Sequence, residues 1–285
     1  MTLIVILIGM AIEHFIGVAD EIRRLAWFDG YANWLEKKYA GKSFWDGPAG
    51  VIATLAGPLL VVLFLEWIFT ALFYPAVMIF YLLVLLYCLG PRYLNPQLDE
   101  YIEAVRTRDN DVAEGLVRGF TVFDDELTQS RAGIVSNIFL ATNQRLFGVL
   151  FWFILLGPFG ALLYRLSCLL WNRQYEIHGN YSDATRHLYN ILNWPTARLL
   201  AFSYALTGNM VRAVDAWREA ESSSFSVNEQ VMLGTGIAAL DQDLEEDSPD
   251  DDYLELLHSL QGLLNRALLL WLSVLGIMTL SGWLG

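Results

Sequence analysis

The residues of this chain that could do chemistry lie beside breaks in apolar segments. Tyr164 and Arg165 follow an apolar window interrupted by Gly157-Pro158, and Asn193 and Arg198 flank Pro195. A proline removes a backbone donor and a glycine permits a bend. Polar side chains beside such a broken helix are the usual makings of an anion site in a membrane. A guanidinium suits carboxylate or phosphate because its planar fork donates two bonds at once. Gly9, Glu13 and Gly17 are spaced by four, so they share one helix face and let another backbone approach the carboxylate. The expected ligand-binding set is therefore Glu13, Tyr164, Arg165, Asn193 and Arg198 around a small anionic ligand. Plainer readings stand beside it: Glu13 pairs with an arginine of another helix, and the arginines snorkel to lipid headgroups.

Other chemistry finds little support. No Ser/His/Asp set, Walker loop, G-x-G-x-x-G or H-E-x-x-H occurs at usable spacing, so no catalytic residue is assigned. His14, His178, His187 and His258 are scattered, and Cys88 and Cys168 sit singly in apolar stretches, which suggests neither a metal site nor a disulfide framework. The run Asp241 to Asp252 fails as a calcium loop, since Glu246 stands where glycine is needed and Asp252 where the bidentate glutamate belongs. No metal, cofactor or nucleic-acid partner is expected.

The elements that must carry these residues are helices in a membrane. Of the 285 residues, 55% are hydrophobic and 17% charged, and the mean hydropathy is +0.40; a soluble domain carries about 25% charge. A membrane helix needs about 20 mostly apolar residues. Windows that meet or approach this lie near 3–18, 49–65, 68–89, 147–163 and 263–284, and the proline-containing stretch 192–206 is a short span, a half-helix or an interfacial helix. The expectation is an all-α polytopic protein with four to six transmembrane segments, some broken or re-entrant, as a single membrane domain over 1–285. Glu66 marks the turn of a hairpin between two spans.

Charge sets the sidedness. Residues 19 to 47 carry Arg23, Arg24, Lys37, Lys38 and Lys42, and residues 92 to 145 hold six arginines and no lysine, which places both on the cytoplasmic side. The polar helical segments 92–145 and 208–262 are expected to be cytoplasmic. In the first, Asp109-Asn110-Asp111 supplies a turn and a helix cap. The second contains two arginines against thirteen carboxylates, and within it residues 241–252 read as a disordered acidic loop.

The stretch FWFILLGPFGALLYRL, residues 151 to 166, with LNWPTARLLAFSYALTGN, residues 192 to 209, resembles the AmpE family and its relatives, the CobD/CbiB cobinamide synthases. Similar synthases show P-G-A-x-x-Y-R-x-x-N-x-x-D, matched here by Gly160, Ala161, Tyr164 and Arg165, and N-x-x-P-A-R, matched by Asn193, Ala197 and Arg198. The asparagine and aspartate after Y-R fall on Cys168 and Trp171, and the second proline has moved to Pro195. Where those synthases place E-x-x-x-E-N-x-x-D, this chain has Ser136, Leu140, Ala141 and Gln144. Acids that hold a metal would manage phosphate charge in ATP-dependent carboxyl activation. Their absence favours the AmpE type, which implies a non-catalytic sensor or modulator in the bacterial inner membrane. Its implied partners are membrane lipid and a protein of the AmpD pathway, linking peptidoglycan recycling to β-lactamase regulation. The alternative that the resemblance offers is an ATP-dependent amide-forming ligase.

Overall fold

The computed structural model describes residues 2–16, 25–39, 41–42, 44–72, 74–89, 94–122, 130–175, 178–221, 228–242 and 249–282. Every regular element among them is helical, as the sequence led us to expect. The chain divides into two compact units, Met1–Arg92 with Gln144–Leu192, and Tyr93–Asn143 with Asn193–Gly285.

The first unit contains α1 (Thr2–Ile16), α2 (Ala26–Tyr39), α3 (Pro48–Leu72) and α4 (Tyr74–Cys88). The second contains α5 (Leu94–Thr107), α6 (Asn110–Phe120) and α7 (Arg131–Thr142). A π-helical turn, Asn143–Phe147, leads into α8 (Gly148–Gln174) of the first unit, and α9 (Asn180–Thr207) carries the chain from the first unit to the second. There α10 (Met210–Glu221), α11 (Asn228–Ala239) and α12 (Asp250–Leu280) follow.

Three helical runs are long and apolar enough to cross a membrane, Pro48–Ala71, Arg131–Gln174 and Asp250–Leu280, with shorter apolar helices at Leu3–Ile12 and Pro75–Cys88. Their free faces are oily. Ile52, Leu60, Phe64 and Trp67 of α3 are each more than 60% exposed, a surface that lipid accepts and water penalises. This is a membrane protein.

In the first unit α4 is the hub, packing on α1, α3 and α8. Gly9 lets α1 settle onto Leu82 and Leu85 of α4. Glu66 lies in the last turns of α3, where the Tyr81 hydroxyl of α4 donates to its Oε1. Below, Arg173 at the end of α8 binds Glu36 at 2.7 Å and Asn33 at 2.5 Å, tying down α2. Asp46 caps the start of α9, accepting from the Asn180 side chain at 2.9 Å and the Tyr181 amide at 3.3 Å. Such a cap satisfies donors that the helix itself leaves open.

The decisive feature is the course of α8. A straight helix would hold Gly148 and Tyr164 about 24 Å apart, at 1.5 Å per residue. Instead, a Cβ on Gly148 would overlap the Tyr164 ring, and one on Gly160 would overlap the carbonyl of Trp152. The helix therefore doubles back on itself. The reversal is at Gly157, with φ 64° and ψ −149°, a conformation essentially reserved for glycine. Pro158 then opens the second arm, its missing N–H falling where a helix has no use for it. The break anticipated at Gly157-Pro158 is present. Tyr81 packs edge-on against Phe153 and lies beside Gly157, holding the bend against α4.

Pro195 behaves otherwise. The expectation of a proline-broken helix over 192–206 is corrected, because α9 runs from Asn180 to Thr207 without interruption. Side chains satisfy the turn instead. Trp152 Nε1 donates to the Leu192 carbonyl at 3.0 Å, and Thr196 Oγ1 donates to the Asn193 carbonyl at 3.0 Å.

In the second unit α5 packs on α6 and α12, and α7 packs on α6 and α11. Asp109 caps α6 as its spacing suggested, accepting from the Val112 amide at 3.2 Å. The polar segment reaches less far than 145, since Ile134, Val135, Ile138, Phe139, Leu140 and Ala141 of α7 are buried. Residues 243–248 of the acidic loop lie outside the described residues. Asp250 to Asp252 form the first turn of α12, where the helix dipole favours carboxylates. Arg131 binds Asp250 at 2.8 Å and lies over the Tyr253 ring at 4.6 Å.

The Gly157→Ala variant should lose about 1–3 kcal/mol, since alanine resists this backbone conformation. Thermal unfolding in detergent would show a lowered midpoint, whereas an unchanged midpoint would mean that α8 does not reverse there.

Candidate functional site

The polar residues of the first unit gather where the π turn meets the doubled-back α8. A π turn widens the helix by one residue and is frequent at functional sites. Here it carries Gln144 and Arg145 in the middle of an apolar run. Gln144 and Asn172 form a reciprocal amide pair, Asn172 Nδ2 donating to Gln144 Oε1 at 3.0 Å and Gln144 Nε2 donating to Asn172 Oδ1 at 3.3 Å. Gln144 Nε2 also reaches the Tyr189 hydroxyl at 3.1 Å. The Tyr189 ring stacks on Trp171 at 5.9 Å, which fixes it in place.

Tyr164 is fully buried, its ring lying across Gly148. The next residue, Arg165, is 5% exposed, and its Nε meets no hydrogen-bond partner among the described residues. The titratable groups that bear on Arg165 are the thiols of Cys88 and Cys168 and the phenol of Tyr164, all neutral near pH 7. Among the described residues no carboxylate pairs with this guanidinium. A buried guanidinium with an unpartnered donor can hold an oxygen atom that bears negative charge.

The sequence-derived set is distributed over both units. Tyr164 and Arg165 lie together in the first. The backbone of Glu13 belongs to α1 of that unit, while its side chain lies outside the described residues. Asn193 and Arg198 belong to the second unit. There Asn193 Oδ1 accepts from Asn143 Nδ2 at 2.7 Å and from Thr196 Oγ1 at 3.0 Å. Arg198 donates to Asn228 Oδ1 at 2.6 Å and rests on the Trp194 ring at 4.8 Å.

Gln144, Arg145, Asn172 and Tyr189 are not in the sequence-derived set. Their signal was present: three polar residues, Asn143-Gln144-Arg145, between two apolar runs. They read as the end of a polar segment because π turns leave no mark in hydropathy.

The first unit also contains a cleft of about 290 Å³ lined by Glu36, Trp45, Asp46, Arg173, His178 and Tyr181, among others. Its acids are committed to the Arg173 contact and the cap of α9. Burial pushes the Tyr181 hydroxyl above its ordinary value, partly offset by its hydrogen bond to Thr54. It remains a neutral phenol.

A metal held by acids does not fit the family positions. They hold Ser136, Leu140, Ala141 and Gln144, and among the described residues no three His, Cys, Asp or Glu side chains gather to bind one.

Fold and site together define a helical membrane protein with buried amides and a buried arginine beside a bend in an apolar helix. The chain belongs to the CobD/Cbib protein family, whose model matches residues 6–249. It is 28% identical over 200 residues to the cobalamin biosynthesis protein CobD of Chromobacterium violaceum, covering 67% of this chain and 62% of that one. It is 35% identical over 101 residues to the cobalamin biosynthesis protein CobD of Stutzerimonas stutzeri, covering 34% of this chain and 33% of that one. The matches thus span less than two thirds of these relatives' length. No solved structure matches the chain.

These findings overturn the AmpE reading, and with it the link to peptidoglycan recycling and β-lactamase and the leaning towards a protein without catalysis. The matched residues could not decide between the two families. Gly160 and Ala161 serve the packing of the bend, so a shared fold explains them, and the missing acids weighed too heavily against the biosynthetic branch.

Replacing Gln144 with leucine removes both bonds to Asn172 and one partner of Tyr189. Leaving such groups without partners costs about 1–3 kcal/mol. Thermal denaturation of Gln144→Leu should register the loss, and a variant as stable as wild type would show that the amide pair is dispensable.

Proposed function

We propose that this chain acts in cobalamin biosynthesis as an ATP-dependent amide-forming ligase of the CobD/CbiB type, a multi-pass protein of the bacterial inner membrane. The family match across residues 6–249 supports this reading. The burial of Tyr164 and Arg165 in the first unit is consistent with a site there.

The chemistry sets the requirements. A carboxylate and an amine condense only if one carboxylate oxygen is made a leaving group. That oxygen bonds to the terminal phosphorus of ATP and ADP departs. The amine nitrogen then attacks the acyl carbon, phosphate leaves with the oxygen and its bonding electrons, and the nitrogen's proton passes to solvent. Such an intermediate survives where water is excluded. In this chain Tyr164 and Leu166 are fully buried around the bend, and the Gln144 and Asn172 amides can orient a polar substrate. With the acids absent, phosphate charge falls to guanidinium groups.

Deletion in the host should block conversion of a corrinoid carboxylic acid to its amide, and the wild-type chain should restore it. Arg165→Gln, expressed and inserted at the wild-type level, should lower the rate on the order of a hundredfold, as expected for losing a donor to developing charge. Undiminished amide formation in the deletion strain would remove this reading.

A further inference from the structure

The chain has three lysines, and all of them, Lys37, Lys38 and Lys42, fall within six residues. In a protein of net charge −13 this is a local reversal of sign. The structure shows these lysines together with large aromatic rings. Phe28, Ala32 and Leu35 of α2 are buried and seat it in the first unit, while Trp27, Trp34 and Lys38, spaced by seven and four, share its outer face. Lys37, Lys38 and Lys42 are all exposed. Trp34 is 55% exposed, and Phe44, beyond the end of α2, is 46% exposed.

The ammonium groups lean over rings. Lys38 Nζ lies 4.7 Å from the centre of the Trp34 ring and 5.4 Å from that of Tyr39, and Lys42 Nζ lies 4.9 Å from Tyr39. The acids nearest in sequence are engaged elsewhere, Glu36 with Arg173 and Asp46 in the cap of α9. The helix dipole favours Lys37 and Lys38 in the last turn of α2, but it accounts for neither Lys42 nor the exposed rings.

The depth of the patch is set by its contacts. Trp27 Nε1 donates to the Tyr87 hydroxyl, one residue before the end of α4. Tyr39 stacks on Trp45 at 5.7 Å, three residues before α3 begins. Because α3 is long and apolar enough to cross a membrane and α4 is apolar, α2 lies where these helices leave the hydrocarbon layer. Tryptophan and tyrosine concentrate at that level.

We propose that the outer face of α2, with Lys42 and Phe44, is a docking surface for anionic phospholipid headgroups. The ammonium groups meet the phosphates, and Trp34 and Phe44 reach the first carbons of the acyl chains. A lysine suits this partner because its compact charge on a flexible stem follows a mobile headgroup. The surface gives a strongly acidic chain one place that a negative bilayer attracts. It stands independently of the ligase reading. Arg173 ties the opposite flank of α2 to α8, so an occupied surface stabilises the first unit.

The experiment uses the full chain, purified in neutral detergent and stripped of lipid, then titrated with phosphatidylglycerol or phosphatidylcholine while thermal unfolding is followed. Phosphatidylglycerol should raise the midpoint at lower concentration than phosphatidylcholine. The triple variant Lys37→Gln, Lys38→Gln, Lys42→Gln should need on the order of a hundredfold more phosphatidylglycerol for the same rise, about fivefold per lysine. Lys37→Arg, Lys38→Arg, Lys42→Arg, which keeps the charges, should behave nearly as wild type. Raising the ionic strength should erase the preference in wild type, a reading of the same charges that needs no substitution. Equal response to the two lipids, an undiminished response in the glutamine variant, or a preference that salt leaves intact overturns the surface. An equal response to inorganic phosphate overturns lipid as its occupant.

Discussion

The reversal of α8 at Gly157 is the constraint on which the rest depends. One residue in a conformation that only glycine adopts readily lets two arms of an apolar helix lie against each other. Gly148 then receives the Tyr164 ring, and Gly160 receives the Trp152 carbonyl. The segment Arg131–Gln174 has 44 residues, about 66 Å if straight and twice the apolar thickness of a bilayer. Doubling back explains how so long a run is accommodated, and why the polar residues of the π turn and those following Tyr164 come into one neighbourhood.

The interior so formed is unusual in its charge. Buried cations in membrane proteins generally find acids or carbonyls. Here Gln144, Asn172 and Tyr189 bond to one another, while Arg165 Nε meets no hydrogen-bond partner among the described residues.

Much of this was legible in the sequence. The all-helical membrane class followed from hydropathy, and the break at Gly157-Pro158 from the two residues that permit it. Pro195 was misleading by the same rule. A lost donor there is tolerated because Trp152 and Thr196 supply hydrogen bonds to the neighbouring carbonyls, which are tertiary and local contacts that no dipeptide announces. Arg165 was singled out by its place after the Gly157-Pro158 break. Arg145 was not, because it lies in a π turn, and the side-chain phase of a π turn cannot be read from a helical period. The family was within reach but settled by comparison across the chain, since Gly160, Ala161 and Tyr164 report the bend more than the reaction.

The central claim is that α8 doubles back to place Tyr164 upon Gly148. Solid-state NMR of the carbon-labelled protein in bilayers measures this without any substitution. The account predicts a direct cross-peak between the Gly148 Cα and the Tyr164 ring carbons. Absence of that peak, with neighbouring residues of both arms clearly observed, would contradict it, because a straight helix keeps the two about 24 Å apart.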